Sequence, residues 1–202
     1  MIGPFNRKFP QPCQGGGAGV GFPNVEPKLI LITGATRSGK SRFAQELAKG
    51  WGGPVAFIAT AAPRDEEMER RIEEHRRGRP RHWVTIEEER ELVRALESLE
   101  GIGTVIIDCL TLWVSNLLEG GLGQEEVLRE AGLLRDQLLR SPYRAILVTN
   151  EVGWGIVPVN PLARRFRDTA GMVNQLFASS ADEVYLMVAG IPLRIKPQED
   201  SG

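Results

Sequence analysis

The sequence predicts an α/β fold, with a largely parallel sheet flanked by helices and an antiparallel pair of strands at its C-terminal edge. Three observations carry this. Apolar runs of strand character recur at Leu29–Thr33, Val55–Thr60, Thr104–Asp108 and Ala145–Asn150, and segments of helical periodicity separate them. Two further apolar stretches, Val184–Ala189 and Leu193–Lys196, are joined only by Gly190-Ile191-Pro192, which leaves room for a hairpin but not a crossover helix. The first strand runs directly into Gly34-Ala35-Thr36-Arg37-Ser38-Gly39-Lys40-Ser41, which fits the phosphate-loop pattern G-x-x-x-x-G-K-[ST] at every fixed position.

That octapeptide organises the chain. The glycines let the backbone curl so that successive N–H groups face phosphate oxygens, and a helix opening at Ser41 favours an anion at its start. Phe43, Ala44, Leu47 and Ala48 form the apolar face of this helix. The pattern assigns Lys40 to the β- and γ-phosphates and the Ser41 hydroxyl to Mg²⁺.

Gly52-Gly53-Pro54 turns the chain into the second strand, whose end at Thr60-Ala61-Ala62 is expected beside the phosphate loop, because ligands of open α/β sheets bind at the carboxyl ends of strands. A charged helix follows over Arg64–Arg77, with acids first and Arg76-Arg77 last, as the helix dipole favours. Met68, Ile72 and His75 share its inward stripe, and Gly78 ends it before an extended segment, Arg79–Glu87. An imidazole on such a stripe suits a structural hydrogen bonder as well as a reactive group. Glu88–Leu99 reads as an amphipathic helix burying Leu92, Val93, Leu96 and Leu99.

The strand Thr104–Asp108 ends in an acid, the placement expected of a carboxylate facing a phosphate loop through Mg²⁺ or its water; the same residue would also suit the N-cap of the segment Cys109–Leu118. Next come a helix at Gln124–Arg140 with Val127, Leu128, Leu134 and Leu138 inward, and then the strand ending at Asn150. The loop Glu151–Pro158 is rich in glycine and apolar residues, which marks a ligand-facing or subunit-facing surface. Pro161 opens a long helix with Leu162, Phe166, Val173, Leu176 and Phe177 inward, and Arg164, Arg165, Arg167 and Asp168 as a solvated face.

With 202 residues, 42% of them hydrophobic, the chain suffices for one domain, placed at 28–196 between a Pro/Gly-rich tail (1–27), expected to be disordered, and a short C-terminal tail (197–202). A formal net charge of -1 argues against nucleic acid as partner and for small molecules. No apolar run approaches the ~18 residues of a membrane span. Cys13 and Cys109 form neither a disulfide framework nor a zinc set, so the expected compartment is the cytoplasm.

The middle and late motifs narrow the reading. Arg71, Ile72, His75, Arg76, Arg79, Pro80, Trp83, Thr85 and Glu87 at their spacings, the run Thr149-Asn150-Glu151-Val152-Gly153 with Gly155-Ile156-Val157-Pro158, and Leu162 to Gln175 together resemble the adenosylcobinamide kinase / adenosylcobinamide-phosphate guanylyltransferase family over about residues 28 to 196. The resemblance implies a RecA-like phosphate-loop domain and a homo-oligomer. It implies phosphorylation of the aminopropanol hydroxyl of adenosylcobinamide, then GMP transfer from GTP to adenosylcobinamide phosphate through a guanylylated histidine. GTP and ATP are the implied nucleotides and Mg²⁺ the implied ion. His75 holds the nucleophile position. The nucleotide contacts carried over are Gly34 to Ser41, Thr60, Ala61, Ala62, Arg76, Arg77, Gly78, Arg79, Glu87 and Asp108. One departure is Glu74, where a second histidine is common in the family, so the motif here offers His75 alone. The competing readings are a guanylyltransferase without the kinase step, a phosphate-loop ATPase acting on a macromolecular partner, and a silent nucleotide-binding subunit.

Overall fold

The computed structural model describes residues 27–62 and 66–197, leaving out the side chains at 67, 68, 71, 74 and 75 within the second helix. The expected tail at 1–27 therefore lies outside the described residues except for Pro27, as does the start of the helix expected from Arg64.

In chain order the elements are β1 (Leu29–Gly34), α1 (Lys40–Trp51), β2 (Val55–Ala59), α2 (Glu66–Arg77), β3 (Val84–Glu87), α3 (Leu92–Glu97), β4 (Thr104–Asp108), α4 (Leu110–Glu119), α5 (Gln124–Arg140), β5 (Arg144–Val148), α6 (Pro161–Ser180), β6 (Glu183–Val188) and β7 (Ile191–Lys196). The seven strands order as β3-β2-β4-β5-β1-β6-β7, and every pairing is parallel except β6 with β7. The α/β class and the antiparallel C-terminal edge are thus as the sequence predicts.

Alternation along the strands loads both faces of the sheet. Leu29 and Leu31 of β1 join Val105, Ile107, Trp113, Leu134 and Phe177 beneath α3, α4, α5 and α6. Ile30 and Ile32 face the other way, onto Phe57, Ile106, Ile146 and the Phe43, Ala44 and Ala48 stripe of α1. Strands buried on both faces read as continuous apolar runs, which is why β1, β2 and β4 are so plain in the sequence.

Five details differ from the sequence reading. Of Arg79–Glu87 only the last four residues form a strand; before it the chain turns twice, with Arg79 N–H donating to Arg76 O at 3.2 Å and Trp83 N–H to Pro80 O at 3.1 Å. The helix expected from Glu88 starts at Leu92, because the Glu88 carboxylate accepts from the N–H groups of Arg90 and Glu91 at 2.8 and 2.9 Å and holds a turn in place of a first helical turn. The hairpin turn is the pair Ala189-Gly190, both at positive φ (50° and 84°), which fits the right-handed twist of the strands; Pro192 belongs to β7, an edge strand that tolerates it. Leu162, expected inward, is exposed in the first turn of α6, where Asn160 caps the helix. Arg164 is not simply solvated: its Nη1 donates to the carbonyls of Pro158 and Val159 and ties the apolar loop to α6.

Candidate active site

The site is built where β1, β4 and β5 end. β1 delivers the phosphate loop and α1 carries it away, with Gly39 in the left-handed region (φ 95°) at the helix N-cap and Arg37 also at positive φ (59°). This alternation of backbone handedness turns consecutive N–H groups toward one point and makes an anion-binding concavity. Gly34 is required on other grounds as well. At φ 142° it pairs with Met187 of β6, and a Cβ there would lie 2.5 Å from the Met187 carbonyl oxygen. Gly34→Ala is therefore expected to cost at least about 1–3 kcal/mol, read as a lowered melting temperature, and to lose triphosphate binding. A variant that melts and binds like the wild type would refute this.

Lys40 is buried, and its Nζ donates to Gly34 O at 3.1 Å and Ala35 O at 2.6 Å, with Ser38 Oγ at 3.5 Å. Burial lowers its pKa, while Cys109, Asp108 and Glu151 raise it. The ammonium thus sits among loop carbonyls, which phosphate oxygens can replace.

A cleft of about 490 Å³ opens over this loop. Thr36, Arg37, Ser38, Gly39, Lys40 and Ser41 line it on one side, and Asp108, Cys109, Val148 and Asn150 border it at the ends of β4 and β5. Ala61, Ile72 and Arg79 complete the wall. Asp108 is not the N-cap of α4; Cys109 is, with no side-chain cap, so the carboxylate stays with the cleft.

Arg79 approaches from the turn before β3. Its guanidinium lies 3.8 Å above the Phe57 ring centroid, and its Nε is buried with no hydrogen-bond partner among the described residues. Burial works against its charge, and the carboxylates of Asp108 and Glu87 offset part of that cost. A buried guanidinium N–H without a partner among the described residues, on the wall of the cleft above the phosphate loop, is a donor suited to an anion.

The cleft does not gather every residue expected there. Thr60 is fully buried, and its hydroxyl both donates to Cys109 O and accepts from Cys109 N–H, each at 2.8 Å, while its carbonyl accepts from Asn116 Nδ2. It braces the Asp108-Cys109 peptide, which is cis, and leaves the wall to Ala61. Arg76 pairs with Glu87 at 3.5 Å and Arg77 with Glu73 at 2.9 Å; these residues, with Ala62 and Gly78, lie off the cleft lining. The His75 side chain lies outside the described residues, although α2 runs through its position and Ile72, three residues earlier, lines the cleft.

Cys109 and Asn150 line the cleft without having been singled out as ligands. Cys109 directly follows β4 and Asn150 stands two residues past β5, and a place at the carboxyl end of an apolar strand was the available signal. Burial pushes the Cys109 thiol up to about 12, so it is an inert wall residue at neutral pH.

The comparisons with known proteins agree with one another. A family model described as cobinamide kinase / cobinamide phosphate guanyltransferase matches residues 30–195. The bifunctional adenosylcobalamin biosynthesis protein CobU of Salmonella typhimurium is 45% identical over 181 residues, covering 83% of this chain and 99% of the relative. CobU of Escherichia coli K12 is 42% identical with the same coverage, and CobP of Pseudomonas aeruginosa is 45% identical over 172 residues, covering 82% and 96%. Among solved structures, one from a structural study of Pyrococcus horikoshii OT3 superposes with a TM-score of 0.52 at 11% identity, over 86% of this chain and 88% of that one, which is a likeness of fold alone. With matches of this extent to both the family model and its curated relatives, the chain belongs to the cobinamide kinase / cobinamide phosphate guanyltransferase family.

Proposed function

We propose that this chain phosphorylates the aminopropanol hydroxyl of adenosylcobinamide with ATP or GTP and then transfers GMP from GTP to the new phosphate, releasing pyrophosphate. The observation that carries the reading is the meeting of the phosphate loop, Asp108 and Arg79 across one cleft. That arrangement provides N–H donors, an ammonium and a guanidinium for a triphosphate, and a carboxylate for its cation.

Mg²⁺ fits this donor set. One hydroxyl (Ser41) and one carboxylate (Asp108) on a shared cleft are the sparse protein oxygens such an ion takes, with phosphate and water completing its shell. Bound there, the ion offsets charge on the phosphate oxygens. In the first step Lys40 and the loop N–H groups hold the β- and γ-phosphates in line for attack. In the second, the imidazole of His75 attacks the α-phosphorus of GTP and pyrophosphate leaves; the acceptor phosphate then attacks the same phosphorus and releases His75. Support for His75 comes from its place in the family motif, one turn along α2 from a cleft residue. Arg79 is the cation suited to the charge on the α-phosphate and leaving group.

The test is incubation of the full chain with adenosylcobinamide, ATP, GTP and Mg²⁺, followed by mass spectrometry of the corrinoid. A phosphate-sized and then a GMP-sized increase is expected. GMP addition to supplied adenosylcobinamide phosphate without any phosphorylation of adenosylcobinamide would identify a guanylyltransferase lacking the kinase step.

The chain is also proposed to work as a homo-oligomer in the cytoplasm. Trp154, Ile156, Val157 and Val159 stand 76%, 96%, 58% and 93% exposed on one loop, an apolar surface that a subunit contact would cover. Light scattering that reports only monomer at working concentrations would refute the assembly.

A further inference from the structure

Glu151 belongs to the late motif, yet the steps above give it no task. We propose that Glu151 accepts the proton of the acceptor hydroxyl in the phosphorylation step, an assignment that rests on the functional reading just given.

Sheet order puts it in position. β5 lies between β1, which carries the phosphate loop, and β4, which carries Asp108. The chain leaving β5 at Thr149-Asn150-Glu151 therefore emerges between the two groups proposed to hold the triphosphate; Asn150 lines the cleft, and Glu151 stands behind that lining, near enough for its carboxylate to act on the Lys40 ammonium. The Glu151 N–H donates to Gly34 O at 3.2 Å, which fixes the residue to the first glycine of the loop.

Its carboxylate is oriented, not loose. Oε1 accepts from Thr33 Oγ1 at 2.6 Å and from Asn174 Nδ2 at 3.4 Å. Asn174 in turn donates to Asn150 O at 3.2 Å and accepts from Thr149 Oγ1 at 2.7 Å. Among the described residues the hydrogen bonds to this carboxylate all end on Oε1, so Oε2 is the oxygen left for a substrate proton.

A structural role does not account for the charge. Glutamine would accept the same two hydrogen bonds through its amide oxygen, whereas a carboxylate beside a polyphosphate site opposes nucleotide binding. A negative charge kept there at a cost in binding implies work that an amide cannot do, and proton acceptance is that work. Asp108 is a poorer choice, since it faces Arg79 and is committed to the cation.

The step balances as follows. The acceptor oxygen bonds to the γ-phosphorus, the bond from that phosphorus to the β,γ-bridging oxygen breaks, and its electron pair leaves with the nucleoside diphosphate. The hydroxyl proton passes to Glu151 Oε2 and then to solvent.

The test compares Glu151→Gln and Glu151→Asp with wild type in the full chain, measuring the phosphorylation rate against pH and the GMP adduct formed on the protein from GTP. In Glu151→Gln phosphorylation is expected to fall by roughly 10²–10⁴-fold with loss of the acid limb of its pH profile, while the adduct forms at least as readily as in wild type because a charge opposing the triphosphate is gone. Glu151→Asp should recover part of that rate. A Gln variant with the wild-type rate and pH profile would overturn the assignment, and so would a parallel fall in adduct formation, which would make Glu151 a prop for the loop. Failure of the wild type itself to phosphorylate adenosylcobinamide would overturn the functional reading and this step with it.

Discussion

Lys40→Ala is expected to lower phosphorylation and GMP transfer alike, each by roughly 10²–10³-fold in kcat/KM, the scale of losing one preorganised donor to developing charge. On the proposed function both steps begin with a triphosphate in the same loop, whose N–H groups alone cannot neutralise it. The variant should fold, because the bonds Lys40 makes to the carbonyls of Gly34 and Ala35 hold an ammonium that burial disfavours, and removing it relieves that cost. Steady-state assays of each step with its own acceptor, alongside a melting curve, check this. Loss confined to one activity would mean that the two steps use different nucleotide sites.

His75→Ala is expected to separate the steps. GMP transfer should fall by something on the order of 10⁴–10⁶, as when a covalent nucleophile is removed, because no other group can carry the guanylyl unit. Phosphorylation needs only the triphosphate, its cation and the acceptor hydroxyl, and should persist. Intact-protein mass spectrometry after GTP and Mg²⁺ is the direct readout: a GMP-sized adduct on wild type and none on the variant. The second histidine, His82, is exposed in the turn before β3 and supplies the control, since His82→Ala should keep the adduct. An adduct that survives His75→Ala would place the nucleophile elsewhere.

The contrast between α5 and α3 shows what was legible in the sequence. α5 spans Gln124–Arg140 as its periodicity predicts, because a glycine at its N-cap and a clean stripe of Val127, Leu134 and Leu138 leave local and tertiary preferences in agreement. The stripe of Leu92, Val93, Leu96 and Leu99 draws the charged segment Glu88–Glu91 into the helix expected there, but one carboxylate, Glu88, captures two backbone donors and holds that segment in a turn. The phosphate loop and Asp108 were readable because each lies within a few residues of the strand that positions it. Thr60 and Arg79 were not readable in detail. The work of Thr60 is a pair of hydrogen bonds to Cys109, at the N-cap of α4, and that of Arg79 depends on stacking over Phe57. Partners distant in the chain leave no local pattern.

The same distance governs how the loop acquires its shape. β1 is flanked by β5 and β6, Gly34 packs against Met187, and the hairpin turn reaches back so that Gly190 N–H donates to Ser38 O at 3.0 Å. A growing polypeptide therefore presents the nucleotide-binding octapeptide before the β6–β7 hairpin that supports it. Until the final hairpin has left the ribosome, β1 lacks a neighbour and the loop lacks its buttress, so closure waits on contacts of high sequence separation. Competence to bind a triphosphate is thus expected only once β6 and the hairpin turn are in place, and a chain cut short before β6 would carry the motif without the affinity.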